Sequence, residues 1–211
     1  MDKADRLWYK IHMEDEEISK IEEWINGKES FLEWGSGGST LYYSQFVDNY
    51  VSIEHDESWF NRTKEIIEHR GLDNIEYHFV PTNEIKFDDK LDTAAIDLLS
   101  KSYNYKVENG IAYATMRHCG EKDWHCFVDY INKPLEFNKK FDIVFVDGRA
   151  RTMCAYNALN IIKDDGYLLF HDFKKYQQDI SVPERIDYHT ILKYYEIVDY
   201  SNTLVILKKN I

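Results

Sequence analysis

Two short runs end in side chains that can move protons or hold a cation: "FVDGRAR", Phe145 to Arg151, and "LLFHDF", Leu168 to Phe173. Asp147, His171 and Asp172 carry the chemistry in them. An imidazole titrates near neutral pH and can relieve a weak nucleophile of its proton, which makes His171 the candidate general base. The carboxylates Asp147 and Asp172 could instead hold a hard cation such as magnesium, which takes oxygen ligands. "HD" also has a plain reading, a turn at a strand end with His171 bonded to backbone. Arg149 and Arg151 stand just past Asp147. One could pair with Asp147 or Asp172 and fix the loop, while the other grips a carboxylate, phosphate or hydroxyl array of an acceptor.

A second constellation is "FLEWGSGGST", Phe31 to Thr40, a short strand followed by a glycine turn. A pyrophosphate could lie on such a turn, but the dinucleotide fingerprint asks for a third glycine where this chain has Thr40. Glu33 would also repel pyrophosphate, whereas it would attract the ammonium and sulfonium of S-adenosylmethionine. A turn of this kind also occurs without a ligand, where a helix packs closely on a strand. Glu54 follows about twenty residues on, where an acid can accept both ribose hydroxyls. Otherwise it helps cap the next helix, a task that Asp56 can perform alone.

These residues need a frame that brings strand ends together. Ile18, Ile21, Trp24 and Ile25 predict an amphipathic helix over about Asp15 to Asn26, and the acidic "MEDEE", Met13 to Glu17, reads as its solvated first turn. Strands are expected at Phe31 to Trp34, Tyr50 to Glu54, Ile75 to Val80, within "FDIVFVDG" and within "GYLLFHD". Helices are expected from Ser39 to about Val47, from Asp56 or Ser58 to Gly71, and from Arg151 to Ile162. Tyr194 to Tyr200 and Thr203 to Lys208 form a closing antiparallel pair. Such alternation predicts an α/β fold with a mainly parallel sheet whose ligand sits at the carboxyl ends of the strands. Residues 84–138 break the rhythm and read as an insertion or lid on the substrate side.

With 211 residues, 44% of them hydrophobic, the chain can bury one sizeable core, so one domain over 1–211 is expected. No apolar run approaches the length of a membrane span, and no basic start precedes an apolar segment. An odd count of three cysteines then suggests reduced thiols and a cytoplasmic protein. The net charge of −12 disfavours nucleic acid and membrane surfaces as partners. In "RHCGEKDWHC" the pairs His118–Cys119 and His125–Cys126 are adjacent rather than spaced, which suits packing better than a zinc site. Tyr103, Tyr105, Tyr113 and Trp124 could stack on a sugar or pack the insertion.

Taken in order, "LEWGSGGST", "SIEHD", "FDIVFVDGRAR" and "GYLLFHDF" resemble the class I S-adenosylmethionine-dependent methyltransferases, over Phe31 to Leu207 apart from the middle insertion. The resemblance implies a Rossmann-like, doubly wound, seven-stranded sheet with a closing antiparallel strand and helices on both faces. It further implies that Glu33, Gly35, Ser36, Gly37 and Ser39 surround the methionine part of the cofactor, Glu54 the ribose, and Asp147 the mouth. The expected activity is O-methylation of a hydroxyl on a sugar, glycan or small metabolite. The rivals are transfer to nitrogen or carboxylate, and a binding protein that keeps the fold without turnover.

Overall fold

The computed structural model describes residues 10–87, 103–108, 111–116, 121–173 and 183–210. In chain order the elements are α1 (Asp15–Ile25), β1 (Ser30–Trp34), α2 (Gly38–Tyr43), β2 (Asn49–Glu54), α3 (Glu57–Arg70) and β3 (Ile75–Phe79). There follow β4 (Ile85–Phe87), β5 (Tyr103–Glu108), β6 (Ile111–Met116), α4 (Val128–Asn132), β7 (Phe141–Val146), α5 (Arg151–Ala158), β8 (Ile162–Phe170), β9 (Tyr195–Ser201) and β10 (Leu204–Lys209). Seven strands make one sheet in the order β3-β2-β1-β7-β8-β10-β9. The pairs among β3, β2, β1, β7 and β8 are parallel, and β10 runs antiparallel to both β8 and β9. The expected Rossmann-like sheet with its closing hairpin is therefore present. Within 84–138, β4, β5 and β6 form a separate three-stranded antiparallel sheet, a pattern the sequence did not resolve.

Local chemistry explains the punctuation. Asp56 caps α3 by accepting the Trp59 amide at 2.8 Å, and Gly71 ends that helix in the left-handed region at φ 62°. The helix expected from Ser39 to Val47 stops at Tyr43 and tightens into a 3-10 turn over Ser44–Phe46. The strand expected at "GYLLFHD" starts earlier, at Ile162, and α5 correspondingly ends at Ala158.

Strand alternation sorts the core into two layers. Leu32, Trp34, Val144, Val146, Leu168 and Phe170 face a layer closed by α4 and α5. Phe31, Ile143, Phe145 and Leu169 face the opposite layer, closed by Ile18, Ile21 and Ile25 of α1 and Tyr42 and Tyr43 of α2. The ladder continues past the strand ends, because Asp147 N donates to Trp34 O at 3.0 Å and His171 N to Val146 O at 3.1 Å. Parity then places Glu33, Asp147 and His171 on the α1 side of the sheet. This assignment determines what the site can be.

Candidate active site

The sheet order reverses at β1, between β2 and β7, and this switch point opens a crevice at the carboxyl ends of the strands. The crevice is a cleft of about 530 Å³, within the roughly 300–1,000 Å³ typical of small-molecule sites. Its floor is two glycines. Gly35 has φ 94°, and a Cβ there would lie 2.4 Å from Gly148 Cα, so only glycine at both positions lets the β1 and β7 loops touch. Among the residues expected to bind a cofactor, Gly35, Ser36, Glu54 and Asp147 line the cleft, whereas Glu33, Gly37 and Ser39 do not. His55, Asp56, Ser58 and Trp59 from the start of α3 also line it.

Glu33 corrects an expectation. It is 0% exposed, with Thr40 Oγ1 donating at 2.5 Å, Ser52 Oγ at 2.8 Å, and Ser39 Oγ bonded to its other oxygen. Burial pushes its carboxyl up to about 7, although the three hydroxyls pull the other way. Parity is the cause, since the side chain turns into the α1–α2 layer, where it ties β1 to the start of α2. Its carboxyl is buried beneath the cleft rather than lining it. Thr40, where the dinucleotide fingerprint has its third glycine, accepts the Gly37 amide at 3.0 Å through its hydroxyl inside the turn.

Glu54 closes the β2 end. Its Oε1 accepts the amides of His55 at 2.8 Å and Asp56 at 2.7 Å, and its Oε2 accepts the amide and hydroxyl of Ser36 at 3.0 and 3.1 Å. Burial raises its carboxyl pKa, but the His55 ring at 2.9 Å and these amides outweigh it and hold the group below the ordinary value. Of the groups around this carboxylate only the Ser36 hydroxyl and the neighbouring His55 ring belong to side chains that can swing aside. Those are the positions that ribose hydroxyls could take.

The β7 and β8 ends meet in a chain of charges. His171 Nδ1 lies 2.8 Å from Asp147 Oδ1, and Nε2 lies 3.2 Å from Glu17 Oε2. Arg151 donates Nε to Gly148 O at 3.0 Å and Nη1 to His171 O at 2.6 Å. The same guanidinium lies 3.4 Å from Asp147 and 3.1 Å from Asp172. Both of its expected structural partners are thus taken by one residue. Arg149 is exposed on the cleft wall and pairs with no carboxylate among the described residues.

His171 departs from the role of free base. Burial favours the neutral ring, but Asp147, then Asp172 and Glu17, raise its pKa above the ordinary 6.5. Both ring nitrogens are engaged by carboxylates, Asp147 on one side and Glu17 on the other, so neither is turned toward open space in the cleft. Neither is the backbone its partner, as the plain reading of "HD" had it.

Asp147, His171 and Asp172 each offer a ligand atom within 4.8 Å of the others. Magnesium wants near-octahedral oxygen ligands, yet here both carboxylates are bridged by Arg151 and the imidazole is spent on Asp147 and Glu17. A cation would have to dislodge a guanidinium that already neutralises the pair. Two carboxylates shared with Arg151 and one imidazole are a poor donor set for magnesium, which takes oxygen ligands.

Glu17 was missed. Expected in a solvated turn, it is 2% exposed. Its Oε1 accepts Thr203 N and Oγ1, each at 2.8 Å, and Leu204 N at 3.1 Å, while Oε2 accepts Glu14 N at 3.1 Å. The signal was available, because Glu17, Ile21 and Ile25 recur every four residues and so share the buried stripe of α1. In "RHCGEKDWHC", His118 and Cys119 lie outside the described residues, His125 is exposed, and Cys126 is buried in the core as the packing reading expects. The side chains of Tyr103, Tyr105 and Tyr113 lie outside them too, and Trp124 is exposed. No described helix is long and apolar enough to cross a membrane.

No protein-family model matches the chain, and no curated protein matches it. Solved structures do. A methyltransferase-like protein from Silicibacter pomeroyi is 21% identical with a TM-score of 0.64, over 96% of this chain and 89% of that one. A candidate caffeoyl-CoA O-methyltransferase from Staphylococcus aureus is 14% identical with a TM-score of 0.57, over 98% and 88%. A candidate methyltransferase from Streptococcus mutans, solved with S-adenosylhomocysteine, is 12% identical with a TM-score of 0.51, over 94% and 100%. The chain has the fold of the class I S-adenosylmethionine-dependent methyltransferases.

Proposed function

We propose that this protein is an S-adenosylmethionine-dependent O-methyltransferase acting on a hydroxyl of a sugar, glycan or other small metabolite. The observation that carries the cofactor reading is the switch-point cleft, where the Gly35–Gly148 contact leaves backbone open beside Ser36 and Glu54 terminates β2. A side chain at either glycine would fill that cradle. S-adenosylmethionine supplies a methyl group on a sulfonium. The chain's own residues then have the work of alignment and charge. Ser36 and Glu54 would hold the ribose, and Asp147, steadied by His171 and Arg151, would present negative charge at the mouth. Thr40 in place of a third glycine, and the S-adenosylhomocysteine in the Streptococcus mutans neighbour, both favour this cofactor over a dinucleotide.

The reading of transfer to oxygen is supported by the likeness in fold to the candidate caffeoyl-CoA O-methyltransferase, and the net charge of −12 weighs against a nucleic-acid acceptor. The test is direct. S-adenosylhomocysteine should raise the melting temperature while NADH at equal concentration does not, and radiolabelled methyl should pass to a hydroxyl compound. A shift with NADH alone overturns the cofactor, and labelling confined to amines or carboxylates overturns the oxygen acceptor.

A further inference from the structure

A hydroxyl acceptor needs somewhere to bind and somewhere to leave its proton, and His171 provides neither. A second cavity of about 310 Å³ lies between the start of α1 and the β9–β10 turn. It shares His12, His171 and Asp172 with the larger cleft, so the two spaces meet at those three side chains. Their states differ. His171 has both nitrogens on carboxylates, and Asp172 is paired with Arg151. His12 is exposed and has no hydrogen-bond or ion-pair partner among the described residues. The backbone that carries it is anchored on both sides, by the buried Ile11 before it and by Glu17, which ties the first turn of α1 to Thr203 and Leu204.

We infer that this second cavity is the acceptor site and that His12 is the general base of the transfer, an inference that rests on the cofactor reading above. The lining is polar, with Lys10, Glu14 and Asn202 around the opening and Met13 as the apolar member. Its size is at the lower end for small-molecule sites. Glu14, Glu17 and Asp172 make the lining rich in carboxylates, which disfavours an anionic acceptor. The class that matches is a small neutral polyhydroxy compound of monosaccharide size, bound through its hydroxyls. In the reaction an acceptor oxygen forms the new bond to the methyl carbon as the carbon–sulfur bond breaks, its electron pair staying on sulfur. The hydroxyl proton passes to the free nitrogen of His12, whose exposure lets the imidazolium return it to water.

The experiment uses the whole chain labelled with 15N-histidine, S-adenosylhomocysteine, and a panel of methyl glycosides as neutral acceptor probes. Calorimetry should show S-adenosylhomocysteine binding, and that binding should move the ring signal of His12, assigned by its loss in His12→Gln. Adding a glycoside to the loaded protein should move it further, and Lys10→Ala with Glu14→Ala should weaken that second response. Tritium transfer from labelled S-adenosylmethionine to the responding glycoside should fall about a hundredfold or more in His12→Gln, with S-adenosylhomocysteine affinity kept within about threefold. A His12 signal indifferent to bound S-adenosylhomocysteine, or wild-type transfer by His12→Gln, overturns the base. Tight S-adenosylhomocysteine binding with no glycoside response and no glycoside methylation overturns the acceptor class. Failure to bind S-adenosylhomocysteine at all overturns the cofactor reading itself, and this inference with it.

Discussion

Glu17→Ala should destabilise the protein by about 3 kcal/mol, far more than an acid in the first turn of a surface helix would. The carboxylate accepts two backbone amides and a hydroxyl from Thr203 and Leu204, accepts the Glu14 amide, and faces His171 Nε2 at 3.2 Å. Stranding a buried donor costs about 1–3 kcal/mol, and removing one partner of a buried ion pair costs about 3–5 kcal/mol. The adjoining 310 Å³ cavity admits water to the stranded groups, which offsets most of the first cost and places the loss at the low end of the second range, about 3 kcal/mol. Glu17→Gln keeps one acceptor oxygen for Thr203 but turns an NH2 toward the Glu14 amide and the His171 N–H, so about half the loss should remain. Urea unfolding with an unchanged m-value measures both variants.

The pH dependence adds a second readout. Burial works to raise the Glu17 carboxyl pKa, but the Thr203 hydroxyl and amide overcome it and hold it below the ordinary 4.5. Its contribution is therefore present above about 4.5 and lost as pH falls through the lower folded value. His171 is raised above 6.5, so its contribution is full below about 6.5 and lost as pH rises through the folded value. The gap between wild type and Glu17→Ala should be widest between those limits and narrow on both sides. A difference within about 0.5 kcal/mol, the usual range for surface substitutions, flat with pH, would refute the argument.

Gly35→Ala should remove S-adenosylhomocysteine binding and lower the melting temperature, because its Cβ would sit 2.4 Å from Gly148 Cα at φ 94°; an unchanged melt with unchanged affinity contradicts the cradle. Glu33→Gln should stabilise the protein by on the order of 2 kcal/mol at pH 8 and by little at pH 5, since a carboxyl raised to about 7 by burial opposes folding once it must ionise. Equal effects at the two pH values would place the group in a wetter environment. Glu54→Ala should weaken S-adenosylmethionine binding by about 2–3 kcal/mol and Glu54→Gln by less, as calorimetry would show; equal affinity in both variants moves the ribose elsewhere. Turnover should survive EDTA, and Arg151→Lys should lose thermal stability because a point charge cannot bridge two carboxylates and two carbonyls at once. Turnover abolished by chelation and restored by magnesium would show a metal in the guanidinium's place.

Much of the frame is legible along the chain because its signals are local. The apolar run in Phe141–Val146, the Asp56 cap and the Gly71 stop are properties of neighbouring residues, and strands alternating with helices leave few topologies. Gly35 and Glu54 could be placed at strand ends for the same reason. In the three-stranded sheet within 84–138 only the β4–β6 pairing spans a long interval, whereas β5 and β6 are a hairpin of sequence neighbours whose signal was local. What each polar group faces was decided only by tertiary structure. Glu33 reads as a ligand because it precedes a glycine turn, yet pleat parity sends its carboxyl into the α1–α2 layer, where hydroxyls from residues 39, 40 and 52 enclose it. His171 reads as a base because of its residue type, yet carboxylates 24 and 154 residues away in sequence take both its nitrogens. A side chain's type and position in an element are written locally, but its charge state and its freedom to react depend on groups that only the folded sheet brings within a few ångströms.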